Sequence, residues 1–195
     1  METVMDMTAI VIIHEIYGIN RHISDMHMRF EEMGFDVYCM DFYKGRAFGY
    51  KEAEAAYSYF MENVGFEKAR KVTLELLKSI RCKYKKVYLV GYSIGAAVAW
   101  LCSEEPKLLD GIAGYYGSRI RDYLDITPQV ETLLFFPTYE KGFDVDELTA
   151  RLKCKEKVNS IKYEGLHGFA DPYSDKFNSK SKEISEKLLI EFISK

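Results

Sequence analysis

The sequence predicts an α/β fold, a mostly parallel sheet with helices on both faces. Three observations predict it. Short apolar, β-prone runs alternate with amphipathic stretches almost from end to end, the pattern of strands joined by crossover helices. Several runs, Ala9 to Ile13 and Val87 to Val90 among them, are apolar at every position, as strands buried on both faces are. The 195 residues are 48% hydrophobic, enough for a sizeable core in a chain of single-domain length, so residues 1–195 are read as one domain.

The elements follow in order. Ala9 to Ile13 is the first strand, and His14-Glu15-Ile16-Tyr17-Gly18 the loop leaving it. Asn20 is placed to cap a helix in which Ile23, Met26, Phe30 and Met33 recur at helical spacing, ended by Gly34. Phe35 to Met40 is the second strand. Helical stretches over 51–62 and 65–81 follow, with Val72, Leu76 and Ile80 as the stripe of the second. Val87 to Val90 is the third strand, and the small residues from Ala96 onward continue it as a helix that stops before Pro106. Gly111 to Tyr116 and Thr132 to Phe136 are further strands. Between them, Ser118 to Gln129 reads as a loop with a short helix. Asp144 is an N-cap with Glu147 at the third helical position and Val145, Leu148 and Leu152 as the stripe. Val158 to Tyr163 is the last strand. Ser181 to Ile193 is the last helix, with Ile184, Leu188 and Phe192 facing in.

Between the third strand and its helix stands Gly91-Tyr92-Ser93-Ile94-Gly95. A serine on a strand-to-helix turn between glycines is the context of a nucleophile elbow. The five residues alone also fit a plain strand-to-helix turn; the flanking strand and the small-residue helix favour the elbow. The fold is therefore expected to be of α/β-hydrolase type. Only two strands precede the elbow strand, so the amino-terminal edge of the sheet is shortened.

Composition excludes several classes. Net charge is −3, from 27 basic and 30 acidic side chains without a block of either sign, which argues against nucleic acid or an anionic membrane as partner. No apolar run approaches a transmembrane span, and Met1 is not followed by a basic and then an apolar region. Cys39, Cys82, Cys102 and Cys154 lack C-x-x-C and metal-ligand spacings, as reduced thiols of a cytoplasmic protein do. The histidines, His22 and His27 on one helix included, suggest no metal site. No cofactor is expected. Aromatic residues make up 14% of the chain, equally compatible with an apolar cleft and with ordinary core tyrosines. An apolar patch at the shortened edge is what would pair two copies as a homodimer.

A serine hydroxyl needs a base within hydrogen-bond reach, and the base needs an acid to hold its tautomer. On this fold the order is serine, acid, histidine. His167, in Gly165-Leu166-His167-Gly168 past the last strand, is the only histidine after Ser93. Glu140 and Asp144 both qualify as the acid by position. Asp144 already has a task as a helix cap, so Glu140 is favoured. The backbone N–H groups of Ile94 and Ile16 are placed to form the oxyanion hole, each donor lowering a barrier by about 2.7–4 kcal/mol. Glu15 is the odd residue, because a carboxylate beside an oxyanion hole repels developing charge unless it is protonated or paired; the plain alternative is that it points to solvent.

Several stretches together resemble the dienelactone hydrolase family: residues 10–20 (IVIIHEIYGIN), Asp41-Phe42-Tyr43, GYSIGAA from Gly91, Gly114-Tyr115-Tyr116-Gly117, and YEGLHGFA from Tyr163. They recur in family order over nearly the whole chain. The resemblance implies a hydrolase fold and a triad of Ser93, His167 and Glu140. It also implies a Glu15 that reaches into the active site, and a substrate-facing Tyr57. Two departures carry weight. The family's namesake has a cysteine nucleophile where this chain has Ser93. It also anchors a substrate carboxylate with two arginines, at positions where this chain has Asp171 and Ala53. Their absence removes charge-assisted bonds to a carboxylate, so dienelactone itself is expected to be a poor substrate. The expected partner is a small neutral ester, lactone or thioester. A catalytically silent fold, or an acyltransferase with the same triad, is the alternative.

Overall fold

A computed structural model describes residues 7–195; the reading of the chain start at Met1 lies outside them. The described residues form β1 (Thr8–Ile13), α1 (Arg21–Glu32), β2 (Asp36–Met40), α2 (Ala53–Asn63), α3 (Gly65–Ile80), β3 (Lys86–Tyr92), α4 (Ile94–Cys102), β4 (Gly111–Tyr115), β5 (Glu131–Pro137), α5 (Val145–Lys153), β6 (Val158–Tyr163) and α6 (Ser179–Ile193). The six strands make one sheet in the order β2-β1-β3-β4-β5-β6, and every neighbouring pair is parallel.

Side chains alternate across a strand, so each strand feeds two cores. Ala9, Val11, Ile13, Val87 and Leu89 pack with residues of α2, α3, α4 and α5. Ile10, Ile12, Tyr88, Val90 and Tyr92 pack with Ile23, Met26 and Phe30 of α1 and with Leu189 and Ile193 of α6. Asn20 caps α1 by accepting from the N–H of Ile23 at 3.1 Å. Asp144 caps α5 by accepting from the N–H groups of Asp146 and Glu147 at 2.8 and 3.3 Å.

Three helix faces differ from expectation. Met33 lies past the end of α1 and is exposed. On α3 the buried face is Phe66, Ala69, Thr73, Leu77 and Ile80, one position round from Val72 and Leu76, which are half-buried. On α6 it is Ser181, Ser185, Glu186, Leu189 and Ile193, whereas Ile184 is exposed. No helix among the described residues is long and apolar enough to cross a membrane. The four cysteines are free thiols, and burial pushes Cys102 up to about 12.

Register brings the strand exits to one rim. Ile13 pairs with Gly91, Tyr92 with Tyr115, Tyr115 with Phe135, and Pro137 with Tyr163. The loops starting at residues 14, 93, 116, 138 and 164 therefore leave the sheet at the same edge. In open α/β sheets, ligands bind at the carboxyl ends of the strands.

Candidate active site

The turn at Ser93 is built by its glycines. A Cβ on Gly91 would lie 2.2 Å from the carbonyl oxygen of Gly95, and one on Gly95 would lie 2.3 Å from that of Ile13. Neither backbone oxygen can step aside, because each belongs to a regular element or its end. Ser93 itself holds φ 54 and ψ −112, a sparsely populated conformation for a residue with a side chain. Its N–H donates to the Tyr115 carbonyl at 2.9 Å, and its own carbonyl accepts from Ala96 at 3.1 Å. The strained residue is thus pinned from β4 on one side and α4 on the other.

His167 comes from the loop after β6, between Gly165 and Gly168, both at positive φ. The buried Phe169 anchors that loop, donating its N–H to Leu166 and accepting from Asn178. Ser93 Oγ lies 2.8 Å from His167 Nε2. On the far side of the ring, His167 Nδ1 lies 2.6 Å from Glu140 Oε1. The Glu140 side chain is 7% exposed and that of His167 32%. The loops carrying these two residues are tied by Thr138, whose N–H donates to Tyr163 at 2.8 Å. Of the two acids compatible with the spacing, Glu140 is the one that meets the imidazole, and Asp144 is the helix cap. Neither Ile16 nor Ile94 donates its N–H to a loop or side-chain acceptor among the described residues.

A cavity of about 160 Å³ adjoins Ser93 and His167, walled by Glu15, Ile16, Tyr17 and Tyr50. Larger clefts of 390 and 580 Å³ lie at the amino ends of the strands and along α3, away from Ser93. Ala53 and Asp171 also line the small cavity. Both positions at which the sequence departs from the namesake's arginines therefore line the cavity beside Ser93, one without charge and one acidic. Tyr57 is not among the lining residues; its hydroxyl accepts from Arg119. Tyr50, seven residues earlier, takes a place in the wall that no sequence signal marked.

Glu15 is buried, not turned to solvent. Its Oε1 accepts from the Tyr116 hydroxyl at 3.0 Å and lies 3.5 Å from His22 Nδ1. Burial pushes its carboxyl up, but His22, His167 and Tyr116 outweigh burial and hold it below the usual value. Asp171 is buried too. It accepts from the Tyr50 hydroxyl at 2.5 Å and from the Tyr173 N–H at 2.8 Å. For Asp171 burial prevails over the charge of His22 and the Tyr50 bond, and the carboxyl is raised. His14, next to Glu15, is held by two hydrogen bonds. Its Nδ1 meets the Glu15 carbonyl at 2.5 Å and its Nε2 accepts from the Phe42 N–H at 3.3 Å. Burial lowers its pKa, with the Glu15 carbonyl opposing.

A parallel sheet whose third strand runs through a strained serine into a small-residue helix, with a histidine loop beyond its last strand, defines the α/β-hydrolase class. Within that class the chain belongs to the dienelactone hydrolase family, whose sequence model matches residues 2–195. It is 34% identical over 172 residues to the uncharacterized protein YczH of Bacillus subtilis (strain 168), covering 87% of this chain and 84% of that one. Among solved structures it is similar to a dienelactone hydrolase-like promiscuous phosphotriesterase from metagenomic libraries. The TM-score is 0.76 at 15% identity, over 96% of this chain and 85% of the other. It is also similar to the ferulic acid-bound Est1E of Butyrivibrio proteoclasticus, with a TM-score of 0.68 at 13% identity, over 96% and 90% of the two chains. At these identities the two structures speak for the fold, and the family assignment rests on the sequence match.

Proposed function

We propose that this chain is a serine hydrolase that cleaves a small neutral ester, lactone or thioester through an acyl-enzyme on Ser93. The observation that carries the reading is the line from Ser93 Oγ to His167 Nε2 at 2.8 Å and from His167 Nδ1 to Glu140 at 2.6 Å, beside a cavity of about 160 Å³.

In this reading His167 takes the hydroxyl proton as Ser93 Oγ attacks the carbonyl carbon. Glu140 keeps the other ring proton on Nδ1 and stabilises the imidazolium that forms. The N–H groups of Ile16 and Ile94 hold the oxyanion. The intermediate collapses, His167 protonates the departing alcohol or thiol, and water then releases the acyl group with the same histidine as base. The small cavity supports a short acyl group. Ala53 and Asp171 in its wall support a substrate without a carboxylate, because nothing there offers the bidentate pairing that an arginine would. The four free thiols support a reducing, cytoplasmic setting.

Incubating the chain with a fluorophosphonate probe and mapping the adduct by peptide mass spectrometry tests the assignment. The label is expected on Ser93 and absent in Ser93→Ala. Labelling that survives this substitution removes Ser93 as nucleophile. Turnover of short-acyl p-nitrophenyl esters no faster than in His167→Ala removes the hydrolase reading.

A further inference from the structure

We propose that Glu15, His22 and Asp171 form a binding site for one divalent transition-metal ion, of the zinc or manganese kind, beside the nucleophile. The three side chains come from the loop after β1, from α1 and from the loop after β6. One ligand atom from each lies within 4.8 Å of the others. His22 Nδ1 is 3.5 Å from Glu15 Oε1 and 3.9 Å from Asp171 Oδ2. An ion between them needs contacts of about 2.0–2.2 Å to each ligand atom.

Three observations point to an ion. His22 is 1% exposed, and among the described residues neither of its ring nitrogens has a hydrogen-bond partner. A buried imidazole whose ring nitrogens find no hydrogen-bond partner beside two carboxylates is costly unless something fills the gap. Glu15 and Asp171 are 4% and 1% exposed, and neither forms an ion pair with a lysine or arginine among the described residues. Two buried carboxylates together carry the charge that a divalent cation neutralises. Finally, each carboxylate oxygen facing His22 is oriented by a phenol, Oε1 of Glu15 by Tyr116 and Oδ2 of Asp171 by Tyr50. Hydrogen bonds of this kind around ligating carboxylates orient metal sites. One nitrogen and two oxygens form a borderline donor set, which suits zinc or manganese better than calcium.

The ion would join α1 to the two loops that wall the cavity next to Ser93, and would cancel carboxylate charge beside Ile16. That consequence for catalysis rests on the proposed reading of Ser93; the site itself does not.

The test uses the full chain, stripped with a chelator, and the metal alone. Zinc and manganese chlorides are titrated by calorimetry, cobalt by its visible absorption, and melting is followed against free metal. Binding of one ion per chain is expected, with a melting temperature that rises with metal concentration. His22→Gln and Asp171→Asn are each expected to weaken affinity at least about tenfold and to remove the cobalt band. No binding up to millimolar metal overturns the site. So does binding that survives both substitutions but is lost in His27→Gln, which would assign the ion to the surface pair of His27 and Glu31, 3.2 Å apart. Both variants are checked for folding by circular dichroism, and Glu15→Gln serves where one of them fails to fold. None of these readouts requires ester turnover, so the metal site and the hydrolase reading fail separately.

Discussion

Removing each of two acids in turn, four residues apart in sequence, gives the sharpest test of the site. Glu140→Gln keeps the shape of the side chain and removes its charge. With Nδ1 and Oε1 at 2.6 Å, the charge centres of the imidazolium and carboxylate are roughly 4 Å apart, worth about 4 kcal/mol at an effective dielectric constant near 20. The His167 side chain is 32% exposed, so water recovers part of that, leaving about 3 kcal/mol. Turnover is therefore expected to fall on the order of 100-fold, carried in kcat, since the imidazolium exists only after proton transfer. Asp144→Ala should do the opposite. It deletes a cap that accepts two N–H bonds, costing about 1 kcal/mol of stability and lowering Tm by roughly 2–4 °C, with kcat unchanged. Steady-state kinetics on a short-acyl p-nitrophenyl ester and thermal melts read both variants. A Glu140→Gln enzyme within about threefold of the parent, or an Asp144→Ala chain that melts normally yet has lost turnover, refutes the reasoning.

Two further outcomes follow from the packing. Gly95→Ala places a methyl group 2.3 Å from the Ile13 carbonyl oxygen and 2.8 Å from that of His14; overpacking against backbone should cost about 1–3 kcal/mol or more, and an unchanged melting curve would contradict it. His14 gives stability a pH dependence. Its folded pKa is depressed below the ordinary 6.5, so the unfolded chain takes up a proton first as pH falls. Stability is full above that value and declines below it by up to about 1.4 kcal/mol per pH unit until the folded pKa is reached. Chemical denaturation at about pH 7 and about pH 5.5 should show this decline in the parent and a flatter profile in His14→Gln; equal slopes would exclude His14 as the source.

The strands and the elbow were legible because their signals are local. A run such as Val87 to Val90 has no polar position to turn outward, and Gly91 and Gly95 stand where the backbone leaves no room for a Cβ. Asn20 and Asp144 were legible as caps for the same reason. Helix faces were less so. Several apolar residues of α3 lie outside its buried face, and Thr73 is buried by bonding its hydroxyl to the Ala69 carbonyl at 2.8 Å. On α6 the buried face includes Glu186, which pairs with Arg29 at 2.8 Å and Lys182 at 2.7 Å. A hydropathy stripe passes over such residues. In sequence, His22 suggests no metal site for a different reason. Its neighbours Glu15 and Asp171 are set by where the first and last strands end, and no spacing along the chain announces that meeting.

The charge at the cavity follows from the same geometry. A parallel sheet delivers every strand exit to one rim, so polar residues of unrelated loops must share it. Around Ser93 these include His14 held by two hydrogen bonds, the carboxylates of Glu15 and Asp171, the phenols of Tyr50 and Tyr116, and Lys176 in the cavity wall. Both phenols are pushed up by burial and donate to these carboxylates. They can orient a carboxylate but cannot neutralise it. With alanine at position 53 and aspartate at position 171, the wall offers no arginine to an anionic substrate. In the proposed reading, selection at Ser93 therefore turns on charge as well as shape: Glu15 and Asp171 oppose a carboxylate, Lys176 is a cation in the same wall, and a metal ion at Glu15, His22 and Asp171 would lessen the repulsion.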